Sequence, residues 1–321
     1  MQQQKDFIKR FWLQCLIRLV VLVVVGMGAV HAQDVQTGHY APGWNGALKA
    51  GITPPDPGLY LTSTTMFFNA RKFRDGSGNT VPDAGETDYI VTALAFAWRP
   101  DFTLFGADYM AVVTPAFGNL SGLPVLVDDE LKKPSPGFGD LFFTPLPLGW
   151  HGSEFDLTAA LGAFAPTGRF DLGSGDNTGL GFWTFYPYVA GTYRTERGIF
   201  NKLPLLAMGA LRYEVHSNQQ GRDFRPGDSF TFEYGLGLEL GKRTEIGVTG
   251  FVYRQVTDPK GNDANPVDKY KSNGIGGHIS HGIGPFTFAL RAYQDFGVQN
   301  GPEGTLVYLE IGWGWPWQTH N

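Results

Sequence analysis

Phe230-Thr231-Phe232-Glu233-Tyr234-Gly235-Leu236-Gly237-Leu238-Glu239-Leu240-Gly241 alternates without a break. Every even position is a large apolar or aromatic residue, and every odd position is threonine, glutamate or glycine. Successive side chains of a strand point to opposite faces, so this stretch has one oily face and one polar face. Its length matches the roughly 9 to 11 residues that cross a bilayer as a tilted strand. The same alternation recurs along the chain. Thr305, Val307, Leu309, Ile311, Trp313 and Trp315 oppose Tyr308, Glu310 and Gly312. Phe286, Phe288, Leu290 and Ala292 oppose Thr287, Arg291, Tyr293 and Asp295. Phe155, Leu157, Ala159, Leu161 and Ala163 oppose Asp156, Thr158 and Ala160, and Leu205, Ala207, Leu211, Tyr213 and Val215 oppose Arg212 and Glu214. The pattern fades near Gly274–Ser280, and Pro145 with Pro147 should weaken pairing in the fourth run, because proline has no amide to donate.

Between these runs, long polar connections alternate with short ones. The long ones are Arg74–Glu86, Gly118–Pro136, Pro166–Gly181, Ser217–Asp228 and Thr257–Asn273, with a moderate Gly297–Gly304 at the end. The short ones are Arg99–Asp101, Gly149–Glu154, Arg194–Lys202, Gly241–Thr244 and Gly282–Pro285. Outer-membrane barrels have this asymmetry, with short periplasmic turns and long outward loops, and bacterial single-chain barrels have an even strand number. The reading is all-β: a closed antiparallel transmembrane barrel of about twelve strands, with both termini periplasmic. Trp98, Trp150, Trp313, Trp315 and Trp317 then fall near the periplasmic ends and Trp183 near the outer end. Amphipathic rings prefer that depth.

The chain opens with Lys5, Lys9, Arg10 and Arg18, then the apolar Leu19–Val25 and a small-residue site at Val30-His31-Ala32. Residues 1–32 read as a secretory signal cleaved near Ala32, which exports the chain, and the barrel reading then places the mature protein in the bacterial outer membrane. Cleavage removes Cys15, the single cysteine, and with it any disulfide or thiol chemistry. The signal holds four of the 25 Lys+Arg and one of the 30 Asp+Glu, so 21 cations face 29 anions afterwards, a net charge of −8. That acidity argues against nucleic acid as a partner. No mature stretch reaches the apolar length of a membrane helix, so strands must do the spanning. Partners are therefore membrane lipid and a small-molecule substrate, and neither a cofactor nor a metal is called for.

Residues 33–56 form a Pro/Gly-rich lead-in, and the barrel takes 57–321. Gly51-Ile52-Thr53-Pro54-Pro55-Asp56-Pro57-Gly58 is too rich in proline for a helix interior or a sheet. Gly46–Ala50 could add a helical turn, so the segment reads either as a lumen plug or as a loose periplasmic tail.

Several motifs resemble a known family. They are His39-Tyr40-Ala41-Pro42-Gly43, Pro54–Tyr60, Gly139-Asp140-Leu141, Pro145–His151, Phe164–Gly168, Gly250–Asp258 and Gly282–Pro285. Together they are similar to the family named for the meta-pathway of phenol degradation, over nearly the whole mature chain. The resemblance implies an outer-membrane barrel that passes hydrophobic or aromatic compounds. It carries over no catalytic residue.

The inward parity collects Asp108, Asp140, Arg212, Glu214, Glu233, Glu239, Arg291, Asp295 and Glu310. A charge facing lipid at midplane costs roughly 2 to 4 kcal/mol, so these belong in the lumen. They read either as a selectivity constriction or as a network that fills a narrow barrel. Three other chemistries have only partial signatures. His278 and Ser280 share a strand face, as base and nucleophile would, but no orienting carboxylate stands at a matching spacing. Asp258, Asn262, Asp263, Asn265 and Asp268 offer oxygen ligands without the recurrent calcium-loop pattern. Gly173 and Gly175 lack the lysine and spacing of a phosphate loop. The reading is a passive channel for small hydrophobic or aromatic molecules, and the alternative is a non-transport barrel, structural or lipid-acting.

Overall fold

A computed structural model describes residues 38–317, except positions 83, 85, 86, 119–124, 128, 129, 133, 134, 173, 175, 196–202, 242 and 265–268. The signal at 1–32 and its cleavage near Ala32 lie outside the described residues.

Twelve antiparallel strands close into a ring. In chain order they are β1 (Gly58–Arg74), β2 (Thr87–Arg99), β3 in three pieces (Ala107–Tyr109, Ala111–Thr114 and Ala116–Gly118), β4 (Leu141–His151), β5 (Phe155–Ala165) and β6 (Thr184–Arg194). Then follow β7 (Leu205–His216), β8 (Ser229–Glu239), β9 (Thr244–Gln255), β10 (Lys271–Ile283), β11 (Phe286–Gln299) and β12 (Gly301–Pro316). Each pairs with its neighbours in sequence, and β12 closes on β1 from Gly58–Pro316 to Arg74–Gly301. Closure leaves no free edge, which is what lipid demands of a spanning backbone.

The parity of β8 holds. Leu236 is 57% exposed on the outside, while Glu233 is 2% exposed and faces inward. The outside of the neighbouring strands continues this oily band through Val189, Leu211, Val248, Ile275 and Ile279. Trp98 and Trp315 sit outside at the short-turn end, flanking Leu59, and Trp183 sits outside at the other.

Irregularity gathers at β3 and β4. Pro115 interrupts β3, though its carbonyl still accepts the Leu94 amide at 3.0 Å. On β4 the register slips between Phe143 and Leu146, around Pro145. Thr144 faces inward to Tyr186 before the slip, whereas His151 faces inward to Thr53 after it. One extra residue has reversed the parity of the strand, as a bulge must. The last hairpin also differs from the sequence reading. In place of a moderate Gly297–Gly304 loop, β11 runs to Gln299 and β12 begins at Gly301. Asn300 makes the turn with φ 57°, a left-handed conformation asparagine tolerates, and its side-chain amide donates to the Lys269 carbonyl at 3.2 Å. Around Gly274–Ser280, where the sequence signal faded, Gly274 faces the Phe251 ring at a distance no larger residue would allow.

Residues 38–57 run lengthwise inside the ring. Gly38 donates to Tyr253 Oη near the long-loop end, and Thr53 bonds His151 at the short-turn end. One side of the interior is apolar: Met66, Phe68, Val91, Phe251, Tyr293, Leu306 and Tyr308 form a buried cluster, with Ala41 and Trp44 of the segment packed against it.

Candidate functional site

The candidate site is the contact between this inner segment and the inward faces of the strands, and it descends in tiers. At the long-loop end, His39 bonds Thr184 Oγ1 (2.7 Å) and Asp140 Oδ2 (2.8 Å). Its ring stacks on Phe164 and meets Phe182 edge-on. Asp140 also accepts the amides of Gly168 and Leu180, so it ties the loop between β5 and β6 down over the lumen. Outside the membrane that loop is linked to Ser135 of the preceding long loop. The Ser135 hydroxyl and amide, bonding the Asp176 carboxylate, hold it below the usual carboxylate range.

In the middle tier, Tyr40 Oη and the Gly43 amide both donate to Glu233 Oε1, each at 2.6 Å. The Arg212 guanidinium lies 4.0 Å from the ring centres of both Tyr40 and Tyr186. A desolvated cation between two aromatic faces gains on the order of 2 kcal/mol from each at best. Arg291, 1% exposed, donates through Nη2 to the Trp44 carbonyl and to Glu310, both at 3.0 Å. Tyr308 Oη donates to the Pro42 carbonyl at 2.7 Å.

Lower down, Leu48 is fully buried where Gly235, Gly237 and Gly247 leave a hollow that a Cβ at any of the three would fill. Burying a leucine contributes roughly 1.5 to 3 kcal/mol. Lys49 Nζ bridges Glu239 (2.8 Å) and Glu245 (2.7 Å), and Arg194 approaches Glu239 at 3.6 Å. The Gly51 amide donates to Thr192 and its carbonyl accepts from Thr158. At the short-turn end Asp108 pairs with Arg99 at 2.7 Å and lies 3.4 Å from His151.

The structure thus brings Asp140, Arg212, Glu233, Glu239 and Arg291 directly against residues 39–49. Glu310 joins through Arg291. Glu214 accepts from Ser229 beside Gly38, Asp295 accepts the Gly304 amide, and Asp108 belongs to the separate cluster with Arg99. Sequence reasoning missed His39, Tyr40, Lys49 and Glu245. One signal was available for two of them: His39 and Lys49 are the only basic side chains between Ala32 and Gly58.

The His278–Ser280 pair gains a carboxylate that spacing did not reveal. Glu245 lies opposite Ser280 on β9, with its Oε2 3.8 Å from His278 Nε2. All three face the interior, so a lipid of the surrounding bilayer does not reach them, and Glu245 is already engaged by Lys49. In the loop with the oxygen ligands, Asn262 donates to Asp223 and Asp263 accepts the Asp223 amide, while Asn265 and Asp268 lie outside the described residues. Among the described residues no group of three or more acidic, histidine or cysteine side chains is placed to hold a metal.

The fold resembles that of a solved outer-membrane channel. The COG4313 outer membrane channel from Pseudomonas putida F1 superposes with a TM-score of 0.69 at 16% identity, over 86% of this chain and 100% of that one. The β domain of the Bordetella autotransporter BrkA gives 0.48 at 9% identity, over 81% and 100%. A search of curated proteins found no match. The model of the family described as "Putative MetA-pathway of phenol degradation" matches residues 70–311, three quarters of the sequence, and the chain belongs to that family.

Proposed function

We propose that the protein is an outer-membrane channel for small hydrophobic or aromatic compounds, with residues 38–57 as a plug in its lumen. One observation carries the reading: a segment seated lengthwise in the barrel by single hydrogen bonds and ion pairs to wall side chains, none of which is a strand pair. The wall behind it supports the substrate class. Phe68, Phe251, Tyr293 and Tyr308 present ring faces and edges to the interior, surfaces on which a small aromatic molecule would pack. The carboxylates and arginines on the rest of the wall keep that path hydrated when the plug is out. The selectivity role of these charged residues belongs to the same proposal, and the similar protein from Pseudomonas putida F1 is an outer membrane channel. Family membership supports the connection with phenol breakdown.

The test is growth and uptake. A deletion strain is expected to grow more slowly than its parent on low concentrations of monoaromatic carbon sources, and at the same rate on small sugars or organic acids. Restoring the gene on a plasmid should restore growth. Equal growth on every aromatic compound, with equal uptake of labelled phenol, would remove the proposed substrate class.

Orientation is part of this proposal, with the long loops outside the cell. Cysteine at Ser77, in the loop after β1, is expected to be labelled by an impermeant maleimide on intact cells. Cysteine at Arg243, in the turn between β8 and β9, should react only after the outer membrane is opened. Cys15 falls within the predicted signal, so no native thiol competes. The reverse pattern would invert the barrel.

A further inference from the structure

A cavity of about 810 Å³ opens at the long-loop end, between the loop that follows β9 and the turns after β1 and β11. Arg254, Lys260, Lys269 and Lys271 line it, with Asp258 as the one acid among its described residues. In an acidic chain this is a local excess of positive charge. Lys269 is 3.3 Å from Asp258, whereas neither Lys260 nor Lys271 has a carboxylate partner among the described residues. Arg254 spends its Nη atoms on the carbonyls of Tyr253 and Ser272 and on Asn273, so its charge stays uncompensated.

The strand faces decide what these cations meet. Arg254 shares the outward parity of β9 with Val248 and Val252, and Lys271 that of β10 with Ile275 and Ile279. Arg254, Lys271 and Gln299 are register partners on three adjacent strands. Neighbouring strands are roughly 4.8 Å apart, so the three form a continuous polar rim above an oily band. That height on a membrane barrel is the headgroup level of the lipid. The charged lumen groups stand on the opposite parity and do not line the cavity, whose inner margin is closed by Gln255 and Tyr270 of that parity.

We infer that this rim is a binding site for a phosphorylated glycolipid of the outer leaflet. Its phosphates would lie over Lys260, Lys269, Lys271 and Arg254, with its acyl chains along the Val252 and Ile275 columns. The inference rests on the orientation proposed above, because the two leaflets differ in their lipids.

The experiment uses the full chain, folded in detergent, and native mass spectrometry with bisphosphorylated lipid A and with the same lipid stripped of phosphate. Wild type is expected to retain the phosphorylated form preferentially. Each basic side chain at a charged membrane surface contributes about five-fold to affinity, so Lys269→Gln with Lys271→Gln should lower retention roughly 25-fold. Heat-modifiable migration should stay at the wild-type position. If the double variant fails to fold, Lys260→Gln in the exposed loop is expected to give about a five-fold loss by itself. Equal retention of the two lipids by wild type, or an unchanged preference in the variants, would overturn the inference. So would displacement of the lipid by millimolar inorganic phosphate or benzoate, which would make the cavity a site for free anions. Binding in detergent does not depend on which way the barrel faces, so retention tests the site's chemistry alone, while an inverted cysteine-labelling result would overturn the outer-leaflet assignment together with the orientation.

Discussion

A barrel lacking residues 38–52 is expected to conduct ions in planar bilayers at the level of an open pore, well above the full chain. The deletion leaves Thr53–Pro57 to lead into β1 and touches no strand. It removes the His39 bond to Asp140, the Tyr40 and Gly43 bonds to Glu233, the Trp44 carbonyl on Arg291 and the Lys49 bridge. Those wall groups would then be solvated by water entering the lumen, so the ring should hold while its interior opens. A milder variant grades the effect. Tyr40→Phe takes one of two donors from the Glu233 oxygen and should weaken the seat of the plug by about 1 to 3 kcal/mol. It should appear as brief openings in single-channel records at the conductance of the deletion. Heat-modifiable migration establishes that each variant is folded. A folded deletion barrel with the conductance of the full chain would mean that residues 38–52 are not what obstructs the path.

Leu236→Arg is expected to prevent stable insertion. Leu236 stands in the oily band of β8, 57% exposed to what would be lipid, and an arginine near midplane costs roughly 2 to 4 kcal/mol. Many folded domains are stable by only about 5 to 15 kcal/mol, so the loss is a large share of the whole. Glu239→Gln is the control on the inward face of the same strand. It keeps a polar group opposite Lys49 but removes one of that lysine's two anionic partners. It should fold, and any change should appear in conductance through a looser plug. If Leu236→Arg folds like wild type while Glu239→Gln does not, the register of β8 is off by one residue and the inward residues are misassigned.

The contrast between Leu236 and Glu239 was legible in the sequence because a strand between lipid and a polar interior meets two solvents, and residue type records which one each side chain meets. The count of twelve and the alternation of short and long connections follow from the same signal. Other features depend on contacts that local pattern does not carry. On β1, Met66 and Phe68 face inward to an aromatic cluster, so both faces of that stretch are apolar and parity says nothing. On β4, the bulge at Pro145 shifts Leu148 and Trp150 to the outside, against the count that begins at Phe142. The place of residues 38–57 was undecidable locally, because Tyr40, Leu48 and Lys49 meet partners far along the chain. The inward charges were legible and the segment read as either plug or tail, but which wall residues it meets was not, since a wall read alone does not say what stands against it.

The inner segment leads straight into β1, and β1 is also the strand on which the ring closes. Tyr308 reaches Pro42 across 266 positions of sequence, and Gly58 pairs with Pro316 across nearly as many. Contacts of such separation come late in folding, because the chain between them must first be gathered. Hairpins from β4 to β12 can zip locally, each strand onto the one before it. Joining β1 to β12 and seating the segment are then coupled steps of the same late event, since the residues that enter the lumen are tethered to the seam. A nascent barrel that closed first would have to thread residues 38–57 end to end through a finished ring. Closing around the segment avoids that threading, and it makes the protein's own N-terminal stretch the mandrel on which the wall is wrapped.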